Sequence, residues 1–162
     1  MRKIRRYFEE GTAYFVTTVT KERRPVFLDA RLCRIFLVTV EYYKAFFDYR
    51  VFAYCIMPDH VHLLIQTASK YSLSLIMQML KGSFSRKLNR LSNSTGHVWQ
   101  RRYYDEVVRT NFQLLNQIDY IHANPVAAGL VDSVELYSFS SHSQYYGQPA
   151  LNEIILEIDK PT

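Results

Sequence analysis

Two imidazoles stand one residue apart in the stretch Met57-Pro58-Asp59-His60-Val61-His62-Leu63-Leu64-Ile65. Imidazole ligates first-row metals and carries protons near neutral pH. On a β-strand, residues two apart project from one face, so His60 and His62 share a side while Val61, Leu63 and Ile65 take the other. Side chains roughly 6 to 7 Å apart along a strand can converge on one ion through bonds of about 2.1 Å. The competing reading is a packed pair bonded to backbone groups. A lone histidine favours packing; two of them, directly after a turn and inside an apolar strand, favour a metal. Cys55 is a candidate third ligand, because a two-residue turn at Pro58-Asp59 sets it across from His62 and a sulfur there points to zinc. A one-residue slip in register turns it away. The other thiol and imidazole spacings do not fit a zinc finger.

The histidines need a sheet, and the sequence supplies one. Residues 13–20 (AYFVTTVT) are β-branched and aromatic and read as a strand. Asp29 is placed to cap a helix to about Phe47, with Leu32, Ile35, Phe36, Val40, Tyr43 and Phe47 at helical spacing. Residues 51–57 and 60–66 form a hairpin across Pro58-Asp59. A second helix runs from about Leu73 to Leu91, and a fourth strand covers 104–108. The order β-α-β-β-α-β predicts an α+β, ferredoxin-like antiparallel sheet. A last helix over roughly 111–123 is expected to stop near Asn124-Pro125, since the residue before proline avoids helical geometry. Its buried side reads as Leu114, Leu115, Ile118 and Ile121, and its polar stripe as Gln113, Gln117, Tyr120 and Asn124.

The chain has 162 residues, 48% hydrophobic and 15% aromatic, which fits one domain with a substantial core. The domain is expected over 1–150, with 151–162 a peripheral tail. A net charge of +5 leans towards polyanionic partners. Two cysteines, Cys33 and Cys55, rule out a disulfide framework and suit a reducing, cytoplasmic setting. Glu9 and Glu10 interrupt the basic start before any apolar stretch, so no secretory leader is read, and no run is long enough for a membrane span. No GxxxxGK phosphate loop is present.

Three stretches together carry a family resemblance: MPDHVHLLI, GHVWQRRYYDEVVR and NQIDYIHANPVAAGLV. The chain resembles the HUH-type single-tyrosine transposases over about residues 10–147, and most closely the REP-associated tyrosine transposases among the insertion-sequence single-strand transposases. The resemblance implies Tyr120 as nucleophile on a backbone phosphate of single-stranded DNA, leaving a 5′-phosphotyrosine and a free 3′-hydroxyl that permits rejoining. It implies a divalent metal, Mg2+ or Mn2+, on His60 and His62, with an amide four residues after the tyrosine, here Asn124, as third ligand. Asn124 reads equally as a helix-ending residue. His122 falls on another face and reads as structural. The resemblance also implies hairpin-forming repeat or element ends as partners, a bacterial, nucleoid-associated protein, and either a homodimer exchanging the tyrosine helix or a monomer.

DNA contacts are expected from Arg5 and Arg6, from Arg23 and Arg24, from Lys81, Arg86, Lys87 and Arg90, and from Arg101 and Arg102, with Trp99 either stacking on a base or buried. Two other readings stand beside transposition. One is a non-catalytic module holding single-stranded RNA or DNA on Tyr14 and Phe15. The other is a domesticated nuclease that processes host repeats with the same residues.

Overall fold

The computed structural model describes residues 11–147 and 154–161; Arg5 and Arg6 lie outside them. Strands β1 (Ala13–Val19), β2 (Arg50–Ile56), β3 (His60–Gln66) and β4 (Tyr104–Val108) form one sheet in the order β2-β3-β1-β4. All three pairings are antiparallel. Helix α1 (Ala30–Phe47) links β1 to β2, and α2 (Leu73–Leu91) links β3 to β4. The expected β-α-β-β-α-β order is therefore the observed one.

Alternation along the strands splits the core in two. Val16, Ile56, Val61, Leu63 and Ile65 face α1 and α2, joining Phe36, Val40, Ile76, Leu80 and Phe84 in the larger core. The other face buries Ala13, Phe15, Phe52, Ala53, Cys55 and Leu64 beneath a third helix, α3 (Asn111–Ala127), through Leu114, Ile118 and Ile121. A register shift between Val51 and Ala53 puts consecutive residues Phe52 and Ala53 into that second core, as a bulge does. Helix caps follow the sequence: the Asp29 side chain accepts from Arg31 N and Ser72 from Leu75 N.

Three expectations change, and the open reading of Trp99 is decided. Helix α3 does not stop at Asn124 but continues through the buried Pro125. It closes on Gly129 at φ 72°, where Leu130 N donates to Pro125 O and Gly129 N to Val126 O. These paired bonds satisfy the last carbonyls, so the helix end falls one turn later than the proline suggests. Leu115, expected inside, is 47% exposed, because the buried stripe narrows to Leu114, Ile118, Ile121 and Pro125. The final residues are not peripheral: Leu156 and Ile158 are buried, and Asp159 N donates to Val51 O on the outer edge of β2. Trp99 is buried at 6% exposure among Phe27, Phe36 and Phe84, which removes it from any base.

A short segment from Phe139 to Ser141 also lines the β2 edge, with Ile56 N donating to Phe139 O and Ser141 N to Tyr54 O. No helix among the described residues is long and apolar enough to cross a membrane.

Candidate active site

Where α3 leaves the sheet, the face it covers opens into a cleft of about 620 Å3 lined by Phe15, Thr17, Val19, Arg23, His60, His62, Tyr104, Glu106, Gln117, Tyr120 and Asn124. Ladder geometry sets the floor. Thr17 pairs with His62 and Val19 with His60, while Thr17 pairs with Tyr104 and Phe15 with Glu106 on the other side. Directly opposed residues share a face, so β3, β1 and β4 all contribute side chains to one concavity.

The two imidazoles lie with ring centroids 4.8 Å apart. His60 Nδ1 meets Asp59 Oδ1 at 2.6 Å, and Asp59 Oδ2 accepts from Arg23 at 3.2 Å. Burial alone would raise the Asp59 carboxyl, but bonds from His60 and Arg23 outweigh it and hold the group below the ordinary carboxylate value. An ionised carboxylate only accepts, so His60 Nδ1 is the donor in this bond, which leaves Nε2 as the nitrogen available to a ligand. The turn carrying Asp59 is itself pinned, with Thr20 N and Thr20 Oγ1 both donating to Asp59 O and Phe27 N to Pro58 O.

His62 is buried at 4% exposure, with its Nδ1 bonded to Thr17 Oγ1 at 2.8 Å and its Nε2 buried without a partner. Burial first, then the neighbouring His60, pushes this imidazole down to about 4, against an upward pull from the Asn124 side chain. A ring kept neutral with one nitrogen unspent is suited to ligation. Tyr120, 55% exposed, sets its ring 5.9 Å from His62 and 5.7 Å from Phe15. Because α3 continues past Pro125, Asn124 stays one turn below Tyr120 on the same side and lines the cleft.

The donor set of two imidazoles and one amide, with a buried nitrogen lacking a partner, fits an open divalent site; His60, His62 and Asn124 would hold the ion. Cys55 does pair with His62 across the ladder, but its Sγ sits against Met57 Sδ at 3.7 Å, and burial pushes the thiol up. No group of three His, Cys, Asp or Glu side chains suited to a metal exists among the described residues. The sulfur-ligated zinc reading therefore falls away.

The expected DNA contacts separate. Arg23 lines the cleft. Arg24 donates to the carbonyls of His97 and Lys21, bracing its own loop. Lys81 donates to Gln100 O and Lys87 to Thr39 Oγ1, so both brace the packing of α2, whereas Arg86 and Arg90 are exposed. All four lie on the helix covering the opposite side of the sheet. Arg101 and Arg102 are exposed just before β4. The open-sheet platform does not exist: Phe15 is 6% exposed beneath α3, and Tyr14 packs towards the other core. Sequence reasoning missed Thr17, Asp59 and Glu106. Of these, only Asp59 carried a signal, as the carboxylate beside a suspected ligand.

The sequence and the architecture both have counterparts among known proteins. A family model described as IS200-like transposase matches residues 10–124. A Haemophilus influenzae protein named as a REP-associated tyrosine transposase is 32% identical over 154 residues, covering 87% of this chain and 85% of the relative. The REP-associated tyrosine transposase of Escherichia coli K12 is 26% identical over 144 residues, covering 87% and 82%. Among solved structures, a REP-associated tyrosine transposase bound to a REP hairpin superposes with a TM-score of 0.73 at 21% identity, covering 100% of this chain and 98% of that one. The chain belongs to the IS200-like transposase family, as a relative of the REP-associated tyrosine transposases.

Proposed function

We propose that this chain cuts and rejoins single-stranded DNA through a covalent bond to Tyr120. The observation that carries the reading is the approach of the Tyr120 ring to 5.9 Å from His62 in the one cleft that also holds His60 and Asn124. Tyr120 Oη would attack the phosphorus of a backbone phosphate in line with the departing 3′ oxygen. The new bond is a 5′-phosphotyrosine, the broken bond is P–O3′, and the phenolic proton ends on the 3′-hydroxyl that leaves. Bond energy is conserved in the adduct, so a 3′-hydroxyl can attack it and rejoin strands without nucleotide hydrolysis.

The chain's own groups prepare this step. Arg23, partnered to Asp59, supplies fixed positive charge at the end of the cleft near His60. Asp59 and Thr17 orient the two imidazoles, and the α3 backbone carries Tyr120 and Asn124 to them as a rigid unit. A divalent cation on His60, His62 and Asn124, Mg2+ or Mn2+, would supply Lewis-acid charge to the phosphoryl oxygens. Within one chain the tyrosine and both histidines line the same cleft, which supports a monomer over a homodimer exchanging the tyrosine helix; light scattering decides between them.

The relative that was solved with a REP hairpin supports a hairpin substrate here too. The test is a hairpin oligodeoxynucleotide with a single-stranded flank, incubated with the protein and Mg2+ or Mn2+ and run under denaturing conditions. A protein–DNA adduct that forms with the ion, not with chelator, and not in Tyr120→Phe supports the reading. Cleavage by Tyr120→Phe, or cleavage that ignores chelator, contradicts it.

A further inference from the structure

We propose that Glu106 and Tyr104 form a base-reading subsite that selects a base carrying an exocyclic amine beside the scissile phosphate and disfavours thymine. The inference rests on the proposed reaction of single-stranded DNA at Tyr120 and names what that cleft reads. It starts from a charge in an awkward place. Glu106 lines a cleft meant for a polyanion, yet among the described residues it makes no ion pair. A carboxylate facing phosphates is repulsive unless a donor on the ligand meets it.

The cleft is polarised along β1. His60 is in register with Val19 at one end, where Arg23 also lies, and Glu106 is in register with Phe15 at the other. Four residues of strand separate those ends, roughly 13 Å at about 3.3 Å per residue. Phosphate belongs at the cationic end, so the anionic end must meet another part of the nucleotide. The hydrogen-bond donors of DNA bases are the N4 amine of cytosine, the N6 amine of adenine and the N1–H and N2 amine of guanine. In thymine the single N3–H is flanked by two carbonyl oxygens, which a carboxylate repels. Single strands expose these edges to side chains.

Tyr104 completes the subsite. Its ring is 57% exposed, it stands edge-on to Phe15 at 6.2 Å, and Phe15 in turn stands against Tyr120. The Tyr104 hydroxyl donates to Glu106 Oε2 at 3.2 Å, tying the carboxylate to the ring that a base would stack on. Stacking platform and acceptor are thus held as one unit beside the nucleophile.

The experiment uses the full chain and two probes, a short oligodeoxycytidine and an oligodeoxythymidine of equal length, with binding read by fluorescence anisotropy. The bases differ at the edge by an amine against a carbonyl. The wild-type chain is expected to bind the cytidine probe about fivefold tighter, the factor one net hydrogen bond supplies. Glu106→Gln, whose amide can accept from cytosine or donate to thymine, is expected to bring the ratio to about one by tightening thymidine binding. Tyr104→Ala is expected to weaken both probes about tenfold through lost stacking. A wild-type ratio near one, or a ratio that Glu106→Gln leaves unchanged, overturns the subsite while leaving adduct formation at Tyr120 intact. Failure to bind either probe together with absence of the Tyr120 adduct overturns the underlying reading as well.

Discussion

Two pairs of neighbouring histidines invite comparison. His60 and His62 have ring centroids 4.8 Å apart, and His122 and His142 5.4 Å. Burial brings one ring of each pair, His62 and His122, down to about 4. Each pair also leaves buried nitrogens without partners: His62 Nε2 in one, His122 Nδ1 and His142 Nδ1 in the other. By proximity, burial and unspent nitrogens the pairs are alike. They differ in what surrounds them. His122 Nε2 is spent on Ser141 Oγ at 2.8 Å, a hydroxyl that also accepts from Tyr54 N, and the ring packs against Tyr145. His60 and His62 open on a cleft shared with a tyrosine, an amide and an arginine. Neighbouring imidazoles mark a well-filled interior in one place and line an open cleft, the proposed reactive centre, in the other, and only the company they keep tells them apart.

Substitution should break this comparison in a definite order. The largest effect belongs to Tyr120→Phe, which keeps the ring against Phe15 and His62 but removes the oxygen; adduct formation, followed on denaturing gels, should fall by more than about a thousandfold. Next, His62→Ala should weaken divalent-ion binding, measured by calorimetry, and lower metal-dependent cleavage by at least about a hundredfold. His122→Ala should leave ion binding unchanged while costing about 2 to 3 kcal/mol in denaturant unfolding, since it opens a void and removes one of the bonds at Ser141 Oγ. If His122→Ala weakens ion binding as much as His62→Ala does, the contrast between the pairs is lost.

Asp59→Asn sharpens the same contrast at smaller amplitude. It keeps the shape of the turn but no longer fixes the His60 proton, so ion affinity should drop about tenfold with little change in unfolding free energy. A separate effect, read in stability and not in ion binding, appears in acid. The folded-state value of His122, about 4, lies below its ordinary 6.5, so between those values the unfolded chain binds more protons. Its contribution to stability is complete above pH 6.5 and is lost as pH falls towards 4. His122→Gln should flatten the decline of unfolding free energy over that window; a decline of unchanged slope would mean that His122 is not buried neutral.

How much of this was legible in the sequence depended on which forces set each feature. Strand alternation and helical spacing set the element order nearly to the residue, because each element had a face to bury and, as with Asp29, a cap to start it. The histidine pair was legible because a strand period of two fixes which side chains agree. Pro125 misled, because a proline in the last turn removes one bond that the paired bonds at Gly129 then offset. Trp99 sat in a run of arginines and tyrosines and stayed open between stacking and burial, because its partners Phe27, Phe36 and Phe84 come from three distant segments that no local pattern connects. Thr17 and Glu106 were invisible for a similar reason: they reach the cleft only through the β1 pairings, which are long-range in sequence.

The central claim is that Tyr120 and the two strand-borne imidazoles act as one phosphoryl-transfer centre. Peptide mass spectrometry after reaction with a single-stranded hairpin and Mn2+ tests it most directly. The account predicts a nucleotide-bearing peptide modified at Tyr120 in the wild-type chain and none in the His60→Ala/His62→Ala double variant. Modification at any other residue, or undiminished modification of Tyr120 without the two histidines, would contradict it.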